Sequence, residues 1–343
     1  MSNSPKRKVK RQPPFLERLA KGLYITLFVL SLVVVVGYAA LKIFAPKPTV
    51  DNQVVIPPRP VEVSAGPGET EDPDSSADPV PTPTPLVLTR REGVYTCLLL
   101  GVADQGGSDT IMLGVFDTGA KTASLISIPR DTVVRSDGKY RKINALYSSG
   151  GAKATASAVS ELLAVPVDYY VTVNTKAFRE IVNEIGGVYF NVPVDMFYAD
   201  PYGDLAIDIK AGYQLLDGRQ AEGVVRCRNC YASADIGRAA TQRAFLTALV
   251  KQTITPSNAT KVTSLINTFS KYVKSSMPLN DMVWFGTQAI GMDLDTALDT
   301  GALEGKWVSP YWQLDDQAAL DLVNGLGIYQ EEVPAEALHI VHP

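Results

Sequence analysis

Histidine is nearly absent from this 343-residue chain: His339 and His342, near its end, are the only two. A Ser-His-Asp triad needs an imidazole beside its nucleophile and is excluded, as is a histidine-built metallohydrolase centre. Cysteine is scarce too, and three residues cannot make a full framework of pairs. Cys227-x-x-Cys230 has no second Cys pair to complete a zinc site, and it does not open a helix after a strand as a thioredoxin-type motif does. The two are read as structural thiols, with a local or redox-sensitive bond at Cys230 left open. Cys97 is expected in a buried strand. An excess of basic charge is also missing, the net charge being -4. Residues 1–22 hold seven lysines and arginines against Glu17, a net of +6, so the remainder carries -10. That remainder lacks the basic footprint of a nucleic-acid binder, and no nucleic-acid partner is expected. No internal repeat is present.

What is there begins with a long apolar run. Leu23 to Leu41 is 19 residues without a charge, about 28 Å as a helix, enough to cross a bilayer core. It exceeds a signal-peptide core and is read as an uncleaved anchor, a transmembrane helix over 23–45. The basic arm 1–22 then stays in the cytoplasm, and all that follows is extracytoplasmic. Residues 46–92 are rich in Pro, Gly, Ser, Asp and Glu, with Pro81-Thr-Pro-Thr-Pro85 among them, and read as an extended linker.

From Gly93 the pattern turns globular. Tyr95–Leu100, Ile111–Phe116 and Thr122–Ile128 are expected strands, the last two a hairpin across the Asp117-Thr-Gly-Ala turn. A helix is expected over Ala152–Leu163, then a strand Tyr169–Val173, a helix Lys176–Glu184, a Gly186-Gly187 stop and a strand Val188–Val192. Helices dominate after Pro256: Val262–Lys274, Asp281–Ile290 and Asp315–Leu326. The alternation predicts an α/β domain over 93–330, layered α-β-α about a mixed central sheet, followed by a tail 331–343.

The chemistry concentrates between Arg226 and Arg243. Val224-Val225 suggests that Arg226 and Arg228 finish a strand, both pointing one way, with Val225 and Cys227 turned to the core. Asp235 is a candidate N-cap of a helix over Ala239–Lys251, on which Arg238 and Gln242 share a face. Scattered arginines are ordinarily a solvated face. Here the spacing and the cap point instead to a site for a multiply charged phosphate. Arg130 stands where a strand ends, the usual place for a ligand in α/β folds, with Asp131 to orient it and Lys142 as a further cation. Gly101-Val-Ala-Asp-Gln-Gly-Gly-Ser108 nearly spells a P-loop, but Gly107 replaces the lysine and a strand follows, which excludes that motif. The loop still offers Asp104 and Asp109, carboxylates suited to Mg²⁺ or another divalent cation.

These pieces, in order, resemble the LytR-CpsA-Psr family of bacterial cell-envelope proteins. The residues that carry the resemblance are Leu98-Leu-Leu-Gly101, Ser108-Asp-Thr110, Ser127-Ile-Pro-Arg-Asp-Thr132, Lys142-Ile-Asn144 with Tyr147 and Gly150-Gly151, Asp168-Tyr-Tyr-Val171, Ile185-Gly-Gly-Val188, Leu216-Asp-Gly218, Arg226-x-Arg228 and Asp235-x-Gly-Arg238 with Gln242. The resemblance implies a membrane-anchored phosphotransferase moving a glycopolymer from an undecaprenyl-pyrophosphate carrier to peptidoglycan. It implies that Arg130, Arg226, Arg228 and Arg238 grip the pyrophosphate and that Asp109 helps hold Mg²⁺. The prenyl chain would lie in an apolar tunnel. Lys142 and Gln242 would position phosphate oxygens, Asp235 would orient an arginine, and Asp131 is the candidate base. The chain departs from the family pattern at Ala103, at Gly107 and at Thr241, the last two replacing arginines. Those departures leave open a second class, an envelope protein that binds a polyprenyl phosphate without transferring it.

Overall fold

The computed structural model describes residues 46–58, 85–102, 106–199, 206–231, 235–253, 268–289 and 292–343. The expected anchor over 23–45 and the basic arm lie outside the described residues. Among the described residues no helix is long and apolar enough to cross a membrane. Leu279–Ala289 is a helix whose residues Leu279–Thr287 belong to a unit separate from the domain. It carries an edge-on Trp284–Phe285 pair, centroids 5.1 Å apart.

The domain is mixed α/β. Its central sheet has six strands: β1 Val94–Val102, β2 Ser108–Asp117, β3 Thr122–Ser127, β4 Tyr169–Asn174, β5 Lys274–Ser275 and β6 Leu298–Ala302, in the spatial order β5-β4-β1-β2-β3-β6. β1, β2 and β3 run antiparallel, while β4 joins β1 and β6 joins β3 in parallel. The expected hairpin forms in the register Met112↔Ser127 to Asp117↔Thr122. Its turn is held by Asp117 Oδ1, which accepts from the N–H groups of Gly119 and Ala120 at 2.9 and 2.8 Å. β1 is buried or half-buried along both faces, as a sheet covered on both sides requires. Gly101 is needed where β1 meets β2: a Cβ there would come 2.9 Å from Thr110 Cβ, beside the bulge at Gly101/Val102.

Helix α1, Ile143–Leu163, starts nine residues before the expected Ala152. Gly151, at φ 68 and ψ -162, breaks its geometry, so Ala152 marks a kink and not a start. Helix α2, Thr175–Glu184, is capped by Asn174, whose Oδ1 accepts from Ala177 N at 2.7 Å. Helix α3, Gly218–Arg226, and helix α4, Asp235–Thr253, follow the ribbon formed by Val188–Val192 and Gly212–Leu216.

Two cores form. One gathers Leu98, Leu100, Ile111 and Leu113 of the sheet with Ile143, Val159 and Leu163 of α1. The other sets Val182, Val188, Phe190, Leu216 and Val224 around Phe245, with the Phe190 and Phe178 rings 5.2 and 5.6 Å away. Burying a ring of that kind stabilises by roughly 1.5–3 kcal/mol.

Three expectations change. The stretch after Pro256 is not helical alone, since β6 and the hairpin Gly305–Val308/Tyr311–Leu314 lie within it. β6 escapes a periodicity reading because Asp299, Thr300 and Gly301 give it no apolar alternation. The linker is not extended throughout: Gln53–Ile56 pairs with Leu86–Thr89, and Ile56 and Leu88 enter the first core. Alternating Val54/Ile56 against Leu86/Leu88 supplies the apolar face that the proline-rich part between them lacks. The tail joins that core as well, through Val333, Leu338 and Ile340.

A buried ion pair locks these ends to the sheet. Arg90, 2% exposed, forks onto both oxygens of Asp168, with Nη1 to Oδ1 at 2.7 Å. The same carboxylate accepts from Thr96 N at 2.7 Å and Thr96 Oγ1 at 3.0 Å, so its lone pairs are satisfied on the sheet side.

Candidate active site

The first group of site residues is built by a strand end and a tight turn. Pro129 stops β3, and its carbonyl accepts from Thr132 N at 3.0 Å and Thr132 Oγ1 at 2.7 Å. The start of α1 clasps the same turn, Ile143 N donating to Thr132 O and Asn144 N to Arg130 O. Arg130 and Asp131 are thus fixed between sheet and helix, with Lys142 at the helix entry. Arg130 Nη1 meets Asp109 Oδ1 at 2.5 Å, and its Nε lies 3.9 Å from Asp131 Oδ2. Lys142 Nζ reaches Asp131 Oδ1 at 2.8 Å and lies 5.6 Å from the centroid of the Trp307 ring. Two cations and two carboxylates from three places in the chain, Asp109, Arg130-Asp131 and Lys142, therefore meet. Asp104 lies outside the described residues. Asp109 engages Arg130 through Oδ1, and among the described residues its Oδ2 has no hydrogen-bond partner. That half-used carboxylate fits one ligand of a hard divalent cation.

The second group corrects the strand reading of Arg226 and Arg228. Asp217 begins a helix: its carboxylate accepts from Gln220 N at 2.8 Å, and Gln220 Oε1 accepts from Asp217 N at 3.0 Å, a full capping box. Arg226 ends that helix, α3, in its last turn. Cys227 is the C-cap, buried at its end and donating its N–H to Gly223 O at 3.0 Å. Arg228 belongs to the turn closed by the Cys227–Cys230 disulfide, the bond the sequence left open. The two arginines therefore come from unlike local structures, not from alternate positions of one strand. Val224-Val225 misled because the β-branched pair lies in a nine-residue helix, with Val224 buried and Val225 packed half-buried beside it.

Arg226 Nη1 meets Glu222 Oε1 at 2.6 Å one helical turn back, and Arg179 Nη1 of α2 meets Glu222 Oε2 at 3.1 Å. Neither Glu222 nor Arg179 was singled out by the sequence. The i,i+4 spacing of Glu222 and Arg226 signals a pair only once the segment is known to be helical.

Helix α4 begins at Asp235, whose side chain is outside the described part. Arg238 is 9% exposed on the first turns. Gln242 spends one N–H of its amide on Val225 O at 2.9 Å, tying α4 to the end of α3. Thr241 is buried, its hydroxyl 2.6 Å from Tyr231 Oη and donating to Gly237 O at 3.0 Å. Burial pushes the Tyr231 phenol pKa up and the Arg243 guanidinium pKa down. Helix α4 also packs against β3, the strand that leads to Arg130.

Residues 68–324 match the family model described as the LytR_cpsA_psr family. The chain belongs to this family. Among curated relatives, TagV of Bacillus subtilis (strain 168), named as a polyisoprenyl-teichoic acid–peptidoglycan teichoic acid transferase, is 31% identical over 209 residues, 57% of this chain and 53% of TagV. TagT of the same strain carries the same descriptive name and is 31% identical over 55% of this chain and 62% of its own. The chain thus spans little more than half the length of the curated relatives it matches. The crystal structure of B. subtilis TagV superimposes with a TM-score of 0.62 at 28% identity, covering 69% of this chain and 96% of that one. A structure titled "TagT bound to LI-WTA" gives 0.57 at 27% identity, covering 68% and 90%. The LytR_cpsA_psr match includes Arg130, Lys142, Arg226, Arg228, Arg238 and Gln242, all within residues 68–324.

Proposed function

We propose that the protein is a membrane-anchored phosphotransferase that moves a glycopolymer from an undecaprenyl-pyrophosphate carrier to peptidoglycan, outside the cytoplasm. The carrying observation is the fixed Arg130, held at a strand end by Asp109 with Lys142 one carboxylate away, in a family whose named relatives are teichoic acid transferases. Phosphoryl transfer asks a protein for positioning and charge neutralisation more than for covalent chemistry. In this reading Arg130, Arg226, Arg228 and Arg238 hold the pyrophosphate, and Lys142 and the remaining amide N–H of Gln242 reach its oxygens. Asp235 orients an arginine. Asp109 and Asp104 would hold Mg²⁺ or another divalent cation, which when bound neutralises charge developing on the phosphoryl oxygens. The acceptor hydroxyl forms the new P–O bond, the bond to the lipid phosphate breaks, and the hydroxyl proton leaves to a carboxylate, with Asp131 as the candidate. The prenyl chain is held in an apolar channel of the domain, and the span 23–45 keeps the domain at the membrane.

The test uses the full chain in detergent with a polyprenyl-pyrophosphate-linked saccharide, peptidoglycan and Mg²⁺. Release of polyprenyl phosphate with attachment of the saccharide is expected, and Arg228→Ala should lower both by about 10²–10³-fold while the fold survives. Normal transfer by that variant would refute the role given to Arg228. A second reading, binding of polyprenyl phosphate without transfer, is favoured by Thr241, where a buried hydroxyl pair with Tyr231 stands in place of an arginine. Binding with no released lipid phosphate would select it.

A further inference from the structure

Glu222 has no part in the reading above, yet it is 3% exposed, and a carboxylate that buried has to be balanced. It lies between two guanidinium groups, with Oε1 2.6 Å from Arg226 Nη1 and Oε2 3.1 Å from Arg179 Nη1. The bracket is set by backbone packing. At Gly218 a Cβ would fall 2.3 Å from the carbonyl oxygen of Arg179, and Gly218 N donates to Asn183 Oδ1 at 2.8 Å. Only a glycine lets α3 approach α2 this closely, and that approach places Glu222 against Arg179. One carboxylate against two guanidiniums leaves a net positive charge. Both arginines remain partly exposed, and Arg226 commits only Nη1 to Glu222. Its other guanidinium N–H groups are left for phosphate oxygens, which a planar fork suits.

We infer that Glu222 is a positioning residue that aims Arg226 at the lipid pyrophosphate, and that Arg179 is a further cation of the same phosphate site. The inference rests on the transferase reading and deepens it. Without the carboxylate the two like charges repel, and Arg226 loses the geometry in which its binding energy is realised. The carboxylate exchanges no proton and makes no bond to the substrate; it acts through Arg226.

A double-mutant cycle in the full chain, with the same donor and acceptor, tests this. Glu222→Gln keeps the volume, removes the charge and is expected to lower kcat/KM about tenfold. Placed in an Arg226→Ala background it should cause no further loss, because its effect passes through Arg226. Arg179→Ala is expected to raise the donor KM with a smaller change in kcat. Thermal unfolding of each variant checks the fold. Should Glu222→Gln fail to fold, Glu222→Leu, which buries no amide in the helix seam and leaves the two part-exposed guanidiniums to water, carries the same comparison. Wild-type kcat/KM in the Glu222 variant, or equal losses with and without Arg226, overturns the positioning role. An unchanged donor KM in Arg179→Ala removes Arg179 from the site. Normal transfer by Arg226→Ala alone overturns the transferase reading of Arg226 itself, a result distinct from additivity.

Discussion

The two groups of cationic residues differ in how they are made. Around Arg130 much of the frame is local: a proline ends a strand, a Thr132 turn closes on it, and a helix starts over the turn, with Asp109 and the Trp312 N–H added from elsewhere in the chain. Around Arg226 the arrangement is tertiary. A capped helix, a disulfide turn and a second helix are drawn together by a glycine contact and a buried carboxylate. The lesson is that a charged site on a strand end can be recognised from neighbours in sequence. One on a helix seam depends on partners, here Arg179 and Glu222, tens of residues apart.

Measurements can press on this contrast. The largest effect is expected away from both groups, at the ion pair that joins the chain ends to the sheet. Arg90→Ala leaves the Asp168 carboxylate buried without its partner and should cost about 3–5 kcal/mol of stability in denaturant titration. A loss within a few tenths would mean that water replaces the guanidinium. Next come the gripping arginines. Arg130→Ala and Arg228→Ala should each lower transfer by about 10²–10³-fold with the unfolding midpoint little changed. If only one does so, one group binds substrate and the other is structural, which breaks the comparison outright.

Smaller effects sharpen it. Asp217→Ala removes the cap of α3 and should cost about 1 kcal/mol. Because Arg226 rides on the far end of that helix, the donor KM should rise as well. An unchanged KM would show that Glu222 alone fixes Arg226. Smallest is the titration of Cys97. Burial, with a lesser contribution from the Asp168 carboxylate, pushes its thiol from 9.0 up to about 12. Folding therefore favours the protonated thiol. That contribution is whole below pH 9 and is lost as pH rises from 9 towards 12, where the unfolded chain ionises first. Native protein, with Cys97 half-buried, should alkylate more slowly at pH 8 than denatured protein. Rapid native labelling would contradict the burial.

Much of the sheet was legible. The hairpin announces itself through apolar runs on either side of Asp117-Thr-Gly-Ala, and the Gly186-Gly187 stop separates α2 from the next strand, whereas the Asn174 cap showed only in the structure. Arg130, Asp131 and Lys142 could be grouped because strand ends carry ligands. β6 could not be foreseen, since Asp299, Thr300 and Gly301 interrupt it, nor could the strand at 53–56, whose short Val54-Val55-Ile56 run lies in a stretch rich in proline and polar residues. Both are strands because a neighbour offers an unpaired edge. Arg226 and Arg228 were found as residues but placed on the wrong element, because Val224-Val225 is as good a strand end as a helix face until Asp217 and Gln220 are seen to close a capping box.

The amino-acid order alone settled the family pattern, the mixed α/β character and the identities of the arginines, since these rest on residue type and short-range spacing. Folding in three dimensions decided that Cys227 and Cys230 bond and that Gln242 ties two helices. It also decided that Asp109 holds Arg130 and that Glu222 stands between Arg179 and Arg226. Those are contacts whose partners are chosen by packing, and packing joins residues that no local rule relates.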